Sequence, residues 1–307
     1  MSIPFRVTAS LTVFAALAGG CATTHSTGPA QSATAEGARP GNIAMVEAEL
    51  LTDPSNNPLR GPRLVPVTEE EQRDIVQTLK SLPAFSPNPY SGCHARAHVA
   101  FKAIEAASRG KAFKVWLLSG RLLSPALGGT VSYKPPTGDA TAWDYHVASA
   151  FMAPGGHILV ADLLVAPEPV PLNQWLSGFT ISGVGVVTLL PGEFYLFNRT
   201  EVPALDPEKY PKGLRQGFMS RNVLSGDFFP YVGNVATTHD GAADLAVDAL
   251  SAAFATGRFS QCEWKAQLKQ SLELKKLASS ATPPPAECSE AAALYAQEFN
   301  RWRESGL

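Results

Sequence analysis

Nothing in this 307-residue chain approaches the run of about 20 apolar residues that a membrane-spanning helix needs. It also lacks a marked excess of charge. The formal net charge is -2 at pH 7 and 17% of the residues are charged, with Lys and Arg scattered along the chain, so no basic face points to a nucleic acid partner. No internal repeat is visible, and cysteine is scarce at four residues. What is present is 45% hydrophobic residues, over a length that supports one large or two modest globular domains.

The longest apolar stretch stands at the start. Arg6 precedes "VTASLTVFAALAGG" and then Cys21, which is the order of a short basic region, a short hydrophobic region and small residues before a cleavage point. Residues 1–20 therefore read as a signal peptide, and "LAGGC" resembles a bacterial lipobox with Cys21 as the lipid-bearing first residue of the mature protein. Export and anchoring in the bacterial envelope follow as expectations, with Ala22 leaning toward the outer membrane, facing the periplasm. Residues 21–66 open on a run rich in Ala, Ser, Thr, Gly and Pro that cannot offset the entropy of ordering it, so they are expected to form a tether.

In an oxidising compartment cysteines tend to pair. Cys262 and Cys288 head two helical segments separated by "SSATPPPA" and are predicted to bridge, which leaves Cys93 as an unpaired thiol. The segment "TEEEQRDIVQTLKSL" has helical spacing behind Thr68, and a second helix is predicted from Gly92 to about Arg109, with Ser91 as its N-cap. "FKVWLLSG", "AWDYHVASAFM" and "HILVADLLV" read as strands, with "APGG" as the turn between the last two. Residues from about 239 onward read as three helices, with a soft boundary near 235. A helix followed by antiparallel strands is α+β order.

Cys93 stands at the mouth of its helix, where unpaired N–H groups favour a thiolate, although a buried structural cysteine would occupy the same place. A thiolate nucleophile needs a histidine and a group to orient it. Of the six histidines, His25 falls in the tether, His157 follows a turn, His239 precedes the last helices, and His94 and His98 leave the Cys93 face of their own helix. His146 remains, on a strand face of small residues (Ala148, Ala150) where a helix could approach. Asp162 has the parity of an apparently buried face in the next strand and so needs a partner, unless it caps a turn near Pro167. The two side chains share a face when paired positions sum to an even number, such as 148 opposite 162.

The order Cys, His, Asp is that of papain-like and transglutaminase-like cores. The words "SGCHARAH", "WDYHVA" and "ADLLVAPEPVPLNQW" resemble the bacterial protein-glutaminase (protein-glutamine deamidase) family over roughly residues 85–178. That resemblance implies a papain/transglutaminase-like core, a nucleophile helix on an antiparallel sheet, extended here by C-terminal helices. It also implies Cys93 as nucleophile, His146 as general base and acid, and Asp162 as the residue that orients the imidazole. The implied reaction is deamidation of glutamine in proteins or peptides, with no metal or organic cofactor. Residues 67–235 would then be the catalytic domain and 236–307 a helical addition. His94 departs from the aromatic residue expected after the nucleophile, and the stretch before Thr68 is short and polar for a masking pro-segment. The same triad would serve a transglutaminase or a cysteine protease, and an envelope lipoprotein that binds a partner without catalysis is the alternative of another class.

Overall fold

The computed structural model describes residues 43–45, 61–82, 92–120, 128–135, 140–192, 194–196, 230–232, 239–278, 280 and 282–305. Cys21, most of the expected tether, Ser91 and the loop of 83–91 lie outside the described residues.

Helix α1 (Glu69–Ser81) begins where a reciprocal cap is written into the sequence. The Thr68 hydroxyl accepts from the Glu71 N–H, and the Glu71 carboxylate accepts from the Thr68 N–H. Its buried residues Ile75 and Leu79 lie one turn apart, and together with Val67 they face the second helix and the sheet. Helix α2 (Cys93–Ser108) starts differently. Its N-cap is Gly92 at φ 81, and no side chain caps it. Arg109 and Gly110, both left-handed, end it where the sequence predicts.

The main sheet has six strands, which in spatial order are β1 (Ile43–Met45), β9 (Gly185–Pro191), β2 (Phe113–Ser119), β5 (Tyr145–Met152), β6 (Ile158–Ala161) and β7 (Val170–Pro171). All neighbours run antiparallel except β1, which joins β9 in parallel. β1 falls inside the stretch expected to be tether. A second sheet has three strands, in spatial order β4 (Thr141–Trp143), β3 (Thr130–Tyr133) and β8 (Phe179–Ser182). A separate ribbon pairs β10 (Phe194–Leu196) with β11 (Pro230–Val232).

The two faces of the main sheet carry different layers. Val115, Leu117, Ala148, Ala150 and Val160 pack against Tyr133, Trp143, Phe179 and Ile181 of the small sheet and against Trp175 of the short helix α3 (Leu172–Ser177). The other face, with Phe151 and Leu159, receives Ala100, Ala103 and Ile104 of α2. Outside α2 lie the C-terminal helices α4 (His239–Ala255), α5 (Ser271–Ala278) and α6 (Ser289–Glu304). Ala242 and Leu245 of α4 and Trp302 of α6 pack on Ala95 and Val99. A disulfide joins Cys262 to Cys288 inside the apolar core of this helical layer. The architecture is mixed α+β, with helices on one side of an antiparallel-rich sheet and a small sheet on the other.

Candidate functional site

The sequence reads "AWDYHVASAFM" as one strand, but the chain changes sheets at Asp144. Trp143 ends its strand opposite Val131 in the small sheet, whereas Tyr145 begins β5 opposite Leu118 in the large one. The Asp144 carbonyl, between them, accepts from the Ser119 N–H. Strict alternation would put Trp143 and His146 on opposite faces. The bend brings their rings into a stack, with centroids 5.0 Å apart and planes at 18°. Phe179 and Trp175 complete an aromatic surround, at 5.2 and 6.0 Å from the imidazole.

The β5–β6 register pairs Ser149 with Ala161, an even sum, and its continuation sets Asp162 on the face of His146. Asp162 lies one residue past β6, and its backbone carbonyl accepts from the N–H groups of Val165 and Ala166, so it also opens a turn. Its carboxylate is fully engaged. Oδ2 lies 2.6 Å from His146 Nε2 and accepts from the Trp175 indole N–H at 2.7 Å, while Oδ1 accepts from the Leu164 N–H at 3.0 Å. Burial alone would raise the Asp162 pKa. The charge and hydrogen bond of His146, with the Trp175 and Leu164 donors, outweigh it and hold the carboxyl below the usual range. An ionised acceptor at Nε2 fixes the proton there, so in the neutral ring Nδ1 is the basic nitrogen. Nδ1 is buried and has no hydrogen-bond partner among the described residues.

The small-residue face of β5 invites a helix in the sequence, but α2 does not approach it. The Ser149 hydroxyl donates to the Ala97 carbonyl, and Phe151 meets Ala100 and Ile104, so α2 covers the opposite face. The face of His146 is filled instead by the small sheet and α3, whose aromatic residues lay large apolar surfaces against Ala148 and Ala150. The contacts of α2 run in step with β5, which turns the N-terminus of the helix toward the first residues of the strand. There β6 no longer pairs with β5, since its ladder ends at Ser149, and residues 145–148 pair with β2 alone among the described strands.

Cys93 is buried at the head of α2 and is in the disulfide form, its partner lying outside the described residues. The expectation of an unpaired thiol differs from the structure on this point. His146 and Asp162 are in direct contact, whereas Cys93 heads α2, the helix that packs on the other face of the sheet. Trp175 is a site residue that the sequence does not nominate. The signal that could have found it is the tryptophan of "PLNQW", an indole donor set 13 positions after Asp162, where the pairing of β7 with β6 has turned the chain back.

A family model described as glutaminase matches residues 75–179, from the middle of α1 to the start of β8. That segment is about a third of the chain and is similar to the glutaminase family. The matched segment contains Cys93, His146, Asp162 and Trp175, and the resemblance carried by the residue words agrees with the match. Among solved structures, a crystal structure of pro-protein-glutaminase aligns with a TM-score of 0.37 and 15% identity, over 62% of this chain and 60% of that one. The alignment thus spans less than two thirds of that protein. No curated protein matches.

Proposed function

We propose that this protein hydrolyses the side-chain amide of glutamine in proteins or peptides, on a papain-like core. Cys93 acts as nucleophile, His146 as general base and acid, and Asp162 as the orienting carboxylate. One observation carries the reading. The imidazole is pinned at Nε2 by a carboxylate that two further donors hold ionised, which leaves a basic Nδ1 without a partner among the described residues.

His146 Nδ1 takes the thiol proton, and the sulfur adds to the amide carbon. In this reading the oxyanion is held at the first turn of α2, whose N-cap is a glycine. As the C–N bond breaks, the imidazolium gives its proton to the nitrogen and ammonia leaves a thioester. Water then adds, its proton passing to Nδ1, and the C–S bond breaks to return the thiol and a glutamate side chain. The sum is glutamine plus water giving glutamate plus ammonia.

This chemistry requires Cys93 reduced. Lipidation of Cys21 would convert its thiol to a thioether, and with Cys262 and Cys288 joined to each other no partner in the chain would remain for Cys93. We therefore read the active form as the exported, lipid-anchored protein with a free Cys93. Its disulfide form favours the second reading, a binding protein without catalysis.

Ammonia release from a glutamine-rich protein separates the two. Reduced protein is expected to release ammonia and Cys93→Ala to lose at least about 100-fold of that rate, the scale on which acyl-transfer nucleophiles act. Equal release by the alanine variant, or none by the reduced protein, defeats the proposal. New N-termini would instead indicate a protease, and isopeptide products with an added amine a transglutaminase.

A further inference from the structure

The glutaminase match ends at residue 179, yet the first turn of α2 is held by residues far beyond it. Asp244 and Asp248 stand four positions apart on one face of α4, and both are buried. Two carboxylates so placed repel each other and lose their hydration, an arrangement that persists only with cations built around it. Of the groups that supply positive charge or N–H donors, two come from residues beside Cys93. Arg96 Nη1 donates to both oxygens of Asp248 at 3.0 Å, and His94 Nε2 lies 3.7 Å from Asp244. Lys275 of α5 supplies another, to Asp244. The contact extends to the N-cap itself. A Cβ built on Gly92 would fall 3.0 Å from the Cβ of Asp244 and 3.0 Å from Arg96 Nη1, so α4 closes over the backbone that precedes Cys93.

Helix α2 lacks the side-chain cap that fixes the start of α1. Its first turn is fixed from outside. We infer that Asp248 and Asp244 of α4 are positioning residues for the nucleophile: through Arg96, His94 and Gly92 they hold the first turn of α2, and so Cys93 and its N–H groups, in the geometry that attack requires. The helical layer beyond residue 235 is on this account a working part of the active site. The inference rests on the proposed role of Cys93.

The test compares Asp248→Asn with Leu250→Ala in the full-length, reduced protein. Leu250 lies on the same helix but in the core it shares with Trp264 and Tyr295, away from α2, so its truncation loosens α4 without touching the ion pair. At a temperature where both variants are folded, Asp248→Asn is expected to lower kcat about tenfold or more, with KM within about twofold. The rate of Cys93 alkylation by iodoacetamide should change with it, and Leu250→Ala should leave both near wild type. Asp248→Glu keeps the charge and displaces the carboxylate by one methylene. It should fold where the amide does not, and still lose kcat. The inference is overturned if folded Asp248→Asn, or Asp248→Glu in its place, keeps wild-type kcat and alkylation, or if Leu250→Ala reproduces the loss. Failure of the underlying assignment looks different, because Cys93→Ala would then retain activity.

Discussion

At the scale of single residues, polar groups with no access to water set the chemistry of the molecule. Asp162 is tolerated because three donors converge on it, and the same donors decide which imidazole nitrogen is basic. His98 is the opposite case. Burial, and then the positive charges of Lys114 and Lys102, push its pKa down to about 2. The folded protein therefore keeps His98 neutral while the unfolded chain takes up a proton below the ordinary value of 6.5. Stability falls as pH drops through that window, with a limiting slope of about 1.4 kcal/mol per pH unit. Asp162 also loses stability on acidification, but only near and below its ordinary value of 3.8, so the two separate. Thermal unfolding between about pH 6.5 and 5 should show the decline in the wild type and a shallower one in His98→Phe. Equal slopes would mean that His98 is protonated in the folded state.

At the scale of elements, legibility in the sequence follows the range of the interaction. The Thr68–Glu71 box, the left-handed stop at Arg109 and Gly110 and the turn at 153–156 depend on neighbours in the chain, and they read directly. The pairing of His146 with Asp162 is half legible: parity nominates both residues, and only the ladder supplies the register. The N-cap of α2, expected at Ser91, falls on Gly92, because the chain must turn left-handed beneath Asp244. The switch of sheets at Asp144 is not legible, since each half of the word is a good strand and the break depends on the strand each half finds. Nor is the approach of Gly192 to α2. A Cβ there would overlap the Phe101 ring, and the Gly192 carbonyl accepts from the buried Lys114 ammonium, itself 4.9 Å above the same ring. Gly192→Ala must displace Phe101 or the end of β9. A loss of about 1–3 kcal/mol is expected in denaturant unfolding, the usual cost of overpacking, and a change below about 0.5 kcal/mol would show that the strand end yields freely.

At the scale of the whole molecule, two layers meet along α2, the sheet with α1 on one side and the disulfide-linked helices on the other, and the aromatic box covers the far face of the sheet. The sequence sets the C-terminal helices apart as an addition, because the family resemblance stops near residue 178. The buried ion pair between Arg96 and Asp248 that docks them joins residues 152 positions apart, and no local pattern announces such a contact. Among the described residues, no helix is long and apolar enough to cross a membrane, and the proposal of an envelope anchor is argued from the resemblance of "LAGGC" to a lipobox.

Two sulfur bridges with opposite consequences now sit in one chain. In protein without the Cys21 lipid, opening the bond at Cys93 should release the proposed nucleophile, whereas opening Cys262–Cys288 removes a crosslink that contributes about 3 kcal/mol to the helical layer packed on α2. Titrated with dithiothreitol, activity should rise and then decline, giving a dose-response curve with a summit. With Cys262 and Cys288 both replaced by alanine, the ascending limb should survive at a lower ceiling and the descending one should vanish.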